Sequence, residues 1–329
     1  MRPERYTGYP SVRLRIFKRE GISAKTVRGD ESATGVGIST GRIGGTCHAV
    51  DLSRQEPSEE RVQGIADYEF IRPLGESNYG TNYLANAPAR LGIAADEVVV
   101  KVIAGPTSDD AFRRATRELK HFSVADSDRL VAVYDAGRHG GAFYYAMEYL
   151  PLGSLEQPAV ALDPGRAVAA VRDAALAAHA LHERGIAHRD IKPANILIAE
   201  DGGRLADLGL SQLLSPGMVM TGLGQIGLEF TDPSIMLGAA ASRASDVWSL
   251  GACLHYALTG RGVYGDLRST EPLLLVRSIL ASQPTLAADL SPAAAELIGA
   301  CLATDVTARP RTAAEVAERA SGLAAGAGV

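Results

Sequence analysis

The chain has 329 residues, too many for one small core, with 46% hydrophobic and 22% charged residues and a formal net charge of −5. These values fit a soluble globular protein, exclude a wholly disordered one, and give no basis for nucleic acid as a partner. Cys47, Cys253 and Cys301 are odd in number and far apart, unlike a disulfide framework or paired metal ligands, which points to a reducing cytoplasm.

Residues 1–66 read as an extension. Ser11–Phe17, SVRLRIF, alternates Val12, Leu14 and Ile16 with arginines in the period of a half-buried strand. A Gly, Ser and Thr-rich stretch and the charged linker QEPSEER follow. Met1–Asp30 carries eight Lys or Arg against three Asp or Glu, expected as a solvated arm.

From Tyr68 the pattern tightens. YEFIRPL, TNYLANA and EVVVKVI (Glu97–Ile103) read as strands. Between the first two lies LGESNYGTNY, Leu74–Tyr83, with Gly75 and Gly80 at phosphate-loop spacing but Ser77 in the central place; alone it is equally a plain hairpin. AFRRATRELKHF sets Phe112, Ala115, Leu119 and Phe122 on one helical face. LVAVYDAG and AFYYAMEYL are two more strands, joined by a turn at Arg138–Gly141.

After Gly153 the chain turns helical. Asp163 is the expected N-cap and Pro164 the first position of a helix stopped at Gly185. Ser291 and Pro292 open another, and Thr312 to Glu315 reads as a capping box. Charges such as Arg172, Asp173, Asp289 and Glu296 interrupt the alanine-rich runs, so no membrane span is expected. The expected class is α+β, a small strand-rich lobe followed by a helical one.

The stretch that carries chemistry is His188–Ile198, HRDIKPANILI, in which Asp190, Lys192 and Asn195 stand between apolar segments. That pattern suits a loop over a packed floor, its polar side chains aimed into a cleft. These residues resemble the catalytic loop of the eukaryotic-type (Hanks-type) bacterial protein kinases, in the Ser/Thr form with lysine two places after the aspartate. The resemblance implies a two-lobed kinase-like fold, with Asp190 taking the proton of a substrate hydroxyl, Lys192 steadying the γ-phosphate and Asn195 holding Mg²⁺, or Mn²⁺ in its place.

Other segments fall in the same order. DLGLS resembles the metal-binding Asp-Phe-Gly element, which makes Asp207 the second implied metal ligand. VVVK resembles the strand whose lysine, here Lys101, meets the α- and β-phosphates of ATP; Glu118 is the implied partner of that lysine. MEYL resembles the hinge, with Met147 as gatekeeper and the backbone of Glu148 and Leu150 facing adenine. Leu74, Gly75, Ser77, Gly80, Asn82, Val99 and Leu197 complete the implied nucleotide pocket. SDVWSLGACLHYALTG resembles the central helix of the large lobe, its Asp246 bracing the catalytic loop, and Arg309 the family's late arginine. The implied catalytic domain is 67–321, with lobes 67–150 and 151–321 and a short tail 322–329.

Departures accompany the matches. Ser77, Asn82 and Val99 make the implied pocket narrower and more polar. In GLEFTDPS, Ser234 stands where the family's glutamate pairs with the late arginine, leaving Asp232 as the replacement acid, and Leu228 follows Gly227 where a threonine is usual. Two other classes stay open on these grounds: a kinase-like scaffold and a small-molecule phosphotransferase. Lys192, Asp246 and Arg309 favour protein substrates phosphorylated on Ser or Thr, the protein itself among them. Arg189 with Ser211, Ser215, Thr221 or Thr231 suggests control by phosphorylation, Thr221 first. His179 and His182 read as ordinary helix residues and His188 as packing.

Overall fold

The computed structural model of the chain describes residues 64–326 apart from 78–79, 104, 106, 126, 209–226, 266 and 268–270. The strand expected at Ser11–Phe17, the rest of the extension to residue 63, and Ser211, Ser215 and Thr221 lie outside these residues.

The first lobe is one antiparallel sheet of β1 (Gly64–Ile65), β2 (Tyr68–Ser77), β3 (Gly80–Asn86), β4 (Glu97–Ile103), β5 (Val133–His139) and β6 (Ala142–Glu148), in the order β1-β2-β3-β4-β6-β5. β4 is central, and its run of valines is buried on both faces, as expected of a strand without polar alternation. Val98 and Val100 pack with Tyr68, Tyr144 and Ala146 on one side. Val99 and Ile103 face the larger core, with Leu119, Phe122, Tyr145 and Met147. α1 (Asp109–Val124) starts at Ser108, whose hydroxyl accepts the Ala111 N–H at 3.2 Å. Its expected face is the buried one: Ala115, Leu119 and Phe122 are almost without exposure. β5 begins three residues later than the apolar run LVAVYDAG suggests, because Leu130 and Val131 pair instead with Leu205 of the second lobe.

The second lobe holds α2 (Pro164–His182), the two-stranded β7 (Ile196–Ala199) and β8 (Gly202–Leu205), α3 (Pro233–Met236), α4 (Arg243–Thr259), α5 (Pro272–Leu280), α6 (Pro292–Cys301) and α7 (Ala313–Gly326). Asp163 caps α2 and Ser291 caps α6 as expected. The box at Thr312 is half formed: Thr312 accepts from the Glu315 N–H, but the Glu315 carboxylate reaches the Arg311 N–H, one residue further back. α4 has a complete box between Ser242 and Ser245. Ala174, Ala175, Ala177 and Ala178 have no exposure, so these small residues let α2 approach α4, α7 and β8 closely. Leu250 and Leu254 of α4 are fully buried, each contributing about 1.5–3 kcal/mol. The expected α+β, two-lobed architecture is the one observed.

Candidate active site

Asp246, in the first turn of α4, is 2% exposed and accepts the backbone N–H of His188 at 2.7 Å and of Arg189 at 3.0 Å. The Nε2 of His182, at the end of α2, lies 2.7 Å from the same carboxylate. One buried anion therefore ties the end of one helix, the start of another and the loop between them. Arg189 sits at φ +75°, a left-handed backbone that a side-chain-bearing residue adopts only when its surroundings enforce it. Asp246 is that enforcement. Burial lowers the pKa of His188, outweighing nearby carboxylates, so a neutral imidazole packs under the loop.

Beyond this anchor, Ile191, Ile196 and Ile198 form the apolar floor. Pro193–Asn195 make one 3₁₀ turn, and the Asn195 amide donates to the Asp190 backbone oxygen at 2.8 Å and to its carboxylate at 2.9 Å. Lys192 Nζ lies 3.1 Å from the other Asp190 oxygen. The three polar residues of the loop thus meet one another.

The chain returns through β8 to Asp207, at φ +57°. The Ala206 N–H donates to the Asn195 carbonyl at 2.8 Å, which joins this segment to the loop. Lys101 Nζ stands 2.6 Å from Asp207 Oδ2, and the Tyr145 hydroxyl donates to Oδ1 at 2.5 Å. Lys101 and Tyr145 are directly opposite one another on β4 and β6, so both reach from the same face of the sheet. Burial pushes the Asp207 carboxyl up, but the charge and hydrogen bond of Lys101, the hydrogen bond of Tyr145 and the charge of Lys192 prevail and hold it below its ordinary value. Burial, then the Asp207 charge, pushes the Tyr145 hydroxyl well above the ordinary phenol range.

The expected pair between Lys101 and Glu118 is not formed. Glu118 is half-buried on α1 and makes no salt bridge among the described residues, either to Lys101 or to Arg114 or Arg117. Lys101 is 12% exposed, and its contact goes to the equally buried Asp207, which the end of β8 delivers to it. Which acid meets the lysine depends on where α1 lies against the sheet, a tertiary matter.

Of the other residues expected around the nucleotide, most lie on β2, β3, β4 and β6, Leu150 just after β6, and Leu197 on β7 of the second lobe. In the β2–β3 hairpin Ser77 pairs with Gly80 and Gly75 with Asn82. The two glycines differ: a Cβ on Gly80, at φ +151°, would lie 1.9 Å from the Val102 carbonyl, whereas a Cβ on Gly75 meets nothing within 4 Å. Gly80 is thus required by the sheet, while Gly75 borders open space. Asn82 is opposite Lys101, and its buried Oδ1 has no hydrogen-bond partner, an acceptor without a donor on the lysine's face. Val99 and Met147 pair across β4 and β6 and are both buried, with Leu74, Leu150 and Leu197 partly buried against the same core. The Glu148 side chain turns to the Ala132 N–H at 3.3 Å, and the Leu150 carbonyl accepts from Gly153 at 3.4 Å.

The donors fit a hard divalent cation. Asp190, Asn195 and Asp207 offer oxygens, the ligands that Mg²⁺ and Mn²⁺ prefer. No group of three His, Cys, Asp or Glu among the described residues makes a complete protein cage. A cation here would draw its other oxygens from phosphates and water, as Mg²⁺ commonly does.

In the second lobe, Arg309 Nη1 meets Asp232 Oδ2 at 2.5 Å, donates to the Ala244 carbonyl, and the guanidinium lies 5.0 Å over the Trp248 ring. Asp232 also caps α3 through the Ser234 N–H at 2.9 Å. The replacement acid expected for Ser234 is therefore the one that pairs. A Cβ on Gly227 would touch the Lys192 side chain at 3.2 Å, so this glycine approaches the loop lysine, while Leu228 packs with Leu275, Val276 and Ile279.

Two residues of this arrangement were missed in the sequence. Tyr145 reads there only as one aromatic of a strand, and its register opposite Lys101 was the available signal. His182 had no local signal at all, because its partner is 64 positions away.

The family model described as the protein kinase domain matches residues 68–320. Serine/threonine-protein kinase PknJ of Mycobacterium tuberculosis is 30% identical over 256 residues, 75% of this chain and 43% of that protein. Serine/threonine-protein kinase AfsK of Streptomyces coelicolor is 31% identical over 262 residues, 76% of this chain and 31% of that protein. The chain thus spans less than half the length of these curated relatives. Among solved structures, the PknI kinase domain of M. tuberculosis is 24% identical with a TM-score of 0.56, covering 79% of this chain and 96% of that one, a likeness of fold.

Proposed function

This chain belongs to the protein kinase family, and on that premise we propose that it transfers the γ-phosphate of ATP to Ser or Thr hydroxyls of proteins, itself among them. The observation that carries the reading is the joining of Asp190, Lys192 and Asn195 in one braced loop, which a backbone hydrogen bond links to the segment bearing Asp207. Phosphoryl transfer asks little covalent work of a protein, so positioning and charge neutralisation must supply most of the rate.

In this reading Asp190 orients the hydroxyl in line with the γ-phosphorus and accepts its proton as the new O–P bond forms and the bond to the ADP oxygen breaks. Lys192, beside Asp190, steadies the transferred phosphoryl group. Lys101 leaves Asp207 for the α- and β-phosphates, and Glu118 then becomes its partner through movement of α1. Asn195 and Asp207 would hold Mg²⁺, or Mn²⁺, which would supply positive charge to the phosphates. Gly75, Ser77 and Gly80 cover the phosphates; Leu74, Asn82, Val99, Met147, Leu197 and the backbone of Glu148 and Leu150 surround the nucleoside. The catalytic domain is assigned to 67–321, lobes 67–150 and 151–321, after an extension 1–66, and the chain to the cytoplasm. No helix among the described residues is long and apolar enough to cross a membrane.

The test is incubation of the purified chain with γ-labelled ATP, Mg²⁺ and a generic basic protein, beside Asp190→Ala. Label on Ser or Thr, absent from the variant, supports the reading. Label no greater than in the variant refutes it and favours the scaffold.

A further inference from the structure

Both oxygens of Asp207 are held from the sheet, and by groups of different kinds. Lys101 brings a positive charge to Oδ2, and Tyr145 brings a neutral O–H to Oδ1. A divalent cation at this carboxylate would take over the electrostatic part that Lys101 plays on Oδ2. It does not take over the part of Tyr145, because a hydroxyl donor and a metal on the other oxygen are compatible.

Tyr145 is also well fixed. It is 3% exposed, on a strand flanked by β4 and β5, with its ring beside Phe143. A buried phenol hydroxyl deprived of its acceptor would bear a desolvation penalty, so its place toward Asp207 is enforced from both ends. Asp207, by contrast, stands at a positive φ of +57°, uncommon for a residue other than glycine. Its carboxylate is here oriented by a residue held rigidly in the sheet.

We propose that Tyr145 is a positioning residue for the metal: its hydroxyl fixes the Asp207 carboxylate through Oδ1 and leaves Oδ2 as the oxygen offered to the cation. This rests on the reading of Asn195 and Asp207 as metal ligands. Partners that orient ligating groups in this way typically change metal affinity by about 10–100-fold.

The experiment measures binding of a non-hydrolysable ATP analogue to the full chain by calorimetry, first without metal and then over a series of Mg²⁺ concentrations, for the wild type and Tyr145→Phe. The expected result is an unchanged metal-free affinity and a half-saturating Mg²⁺ raised about tenfold or more. A half-saturating Mg²⁺ that is unchanged or lowered overturns the inference, a lowered value making Tyr145 a competitor of the metal. The unchanged metal-free affinity certifies folding. Should Tyr145→Phe lack it, Tyr145→Met, an adaptable apolar chain for the same space, is read by the same criterion. A wild-type chain that binds the analogue no better with Mg²⁺ overturns the underlying metal-site reading, which separates the two failures.

Discussion

Arg309 and Asp232, 77 positions apart, form an ion pair at 2.5 Å with side chains only 2% and 3% exposed. The arginine also donates to two backbone carbonyls, of Ala244 and Ala303. Through its bonds to Asp232 and to the Ala244 carbonyl, Arg309 links the segment before α3 to the start of α4, which carries the Asp246 anchor of the catalytic loop.

Removing one member leaves the other buried and uncompensated. Asp232→Ala is expected to destabilise the chain by about 3–5 kcal/mol. Ser234→Ala, whose side chain has no part in the pair, should stay within about 0.5 kcal/mol. Denaturant unfolding of both variants checks this, and equal effects would remove Asp232 from its assigned place.

The two glycines of the β2–β3 hairpin give opposite expectations. Gly80→Ala forces a Cβ against the Val102 carbonyl, and the sheet must shift, with a loss of roughly 1–3 kcal/mol. Gly75→Ala meets open space and should leave stability within about 0.5 kcal/mol. If the hairpin covers phosphates, the same Gly75→Ala raises the KM for ATP several-fold. Thermal unfolding and steady-state kinetics on the same preparations separate the two.

Lys101 and Asp207 predict a pH dependence. The Asp207 carboxyl is held below its ordinary value, so its ionised form contributes stability above about pH 3.9, lost as the pH falls through the lowered folded value. In Lys101→Met the strongest opposing influence is gone and burial raises the carboxyl. Stability at neutral pH should then fall by about 1–3 kcal/mol, with the difference from wild type shrinking in acid as Asp207 becomes neutral. Unfolding free energies from pH 3 to 8 test the sign; a difference that grows in acid contradicts it.

Much of the fold was legible because several signals agreed locally. Glu97–Ile103 is a strand within the bounds its β-branched run suggests, and Asp163–Pro164 and Ser291–Pro292 open helices where capping chemistry puts them. The catalytic loop was legible because its partners lie within five residues of one another. What local pattern could not carry was the choice of long-range partner. Lys101 meets Asp207 rather than Glu118, Asp246 draws on His182, and Tyr145 turns from the strand to the site. Each depends on how elements far apart in sequence lie against one another. Asp232 was an intermediate case, found because Arg309 needed an acid and few were near.

Asp190 is assigned to the reacting hydroxyl rather than to nucleotide binding. The most direct measurement of this is the steady-state kinetics of Asp190→Asn, a substitution of nearly equal shape that cannot accept the proton as a carboxylate does. The expected kcat is lower by about 10²-fold or more, with the KM for ATP within about threefold of wild type. A variant that retains more than a tenth of the wild-type kcat would contradict it.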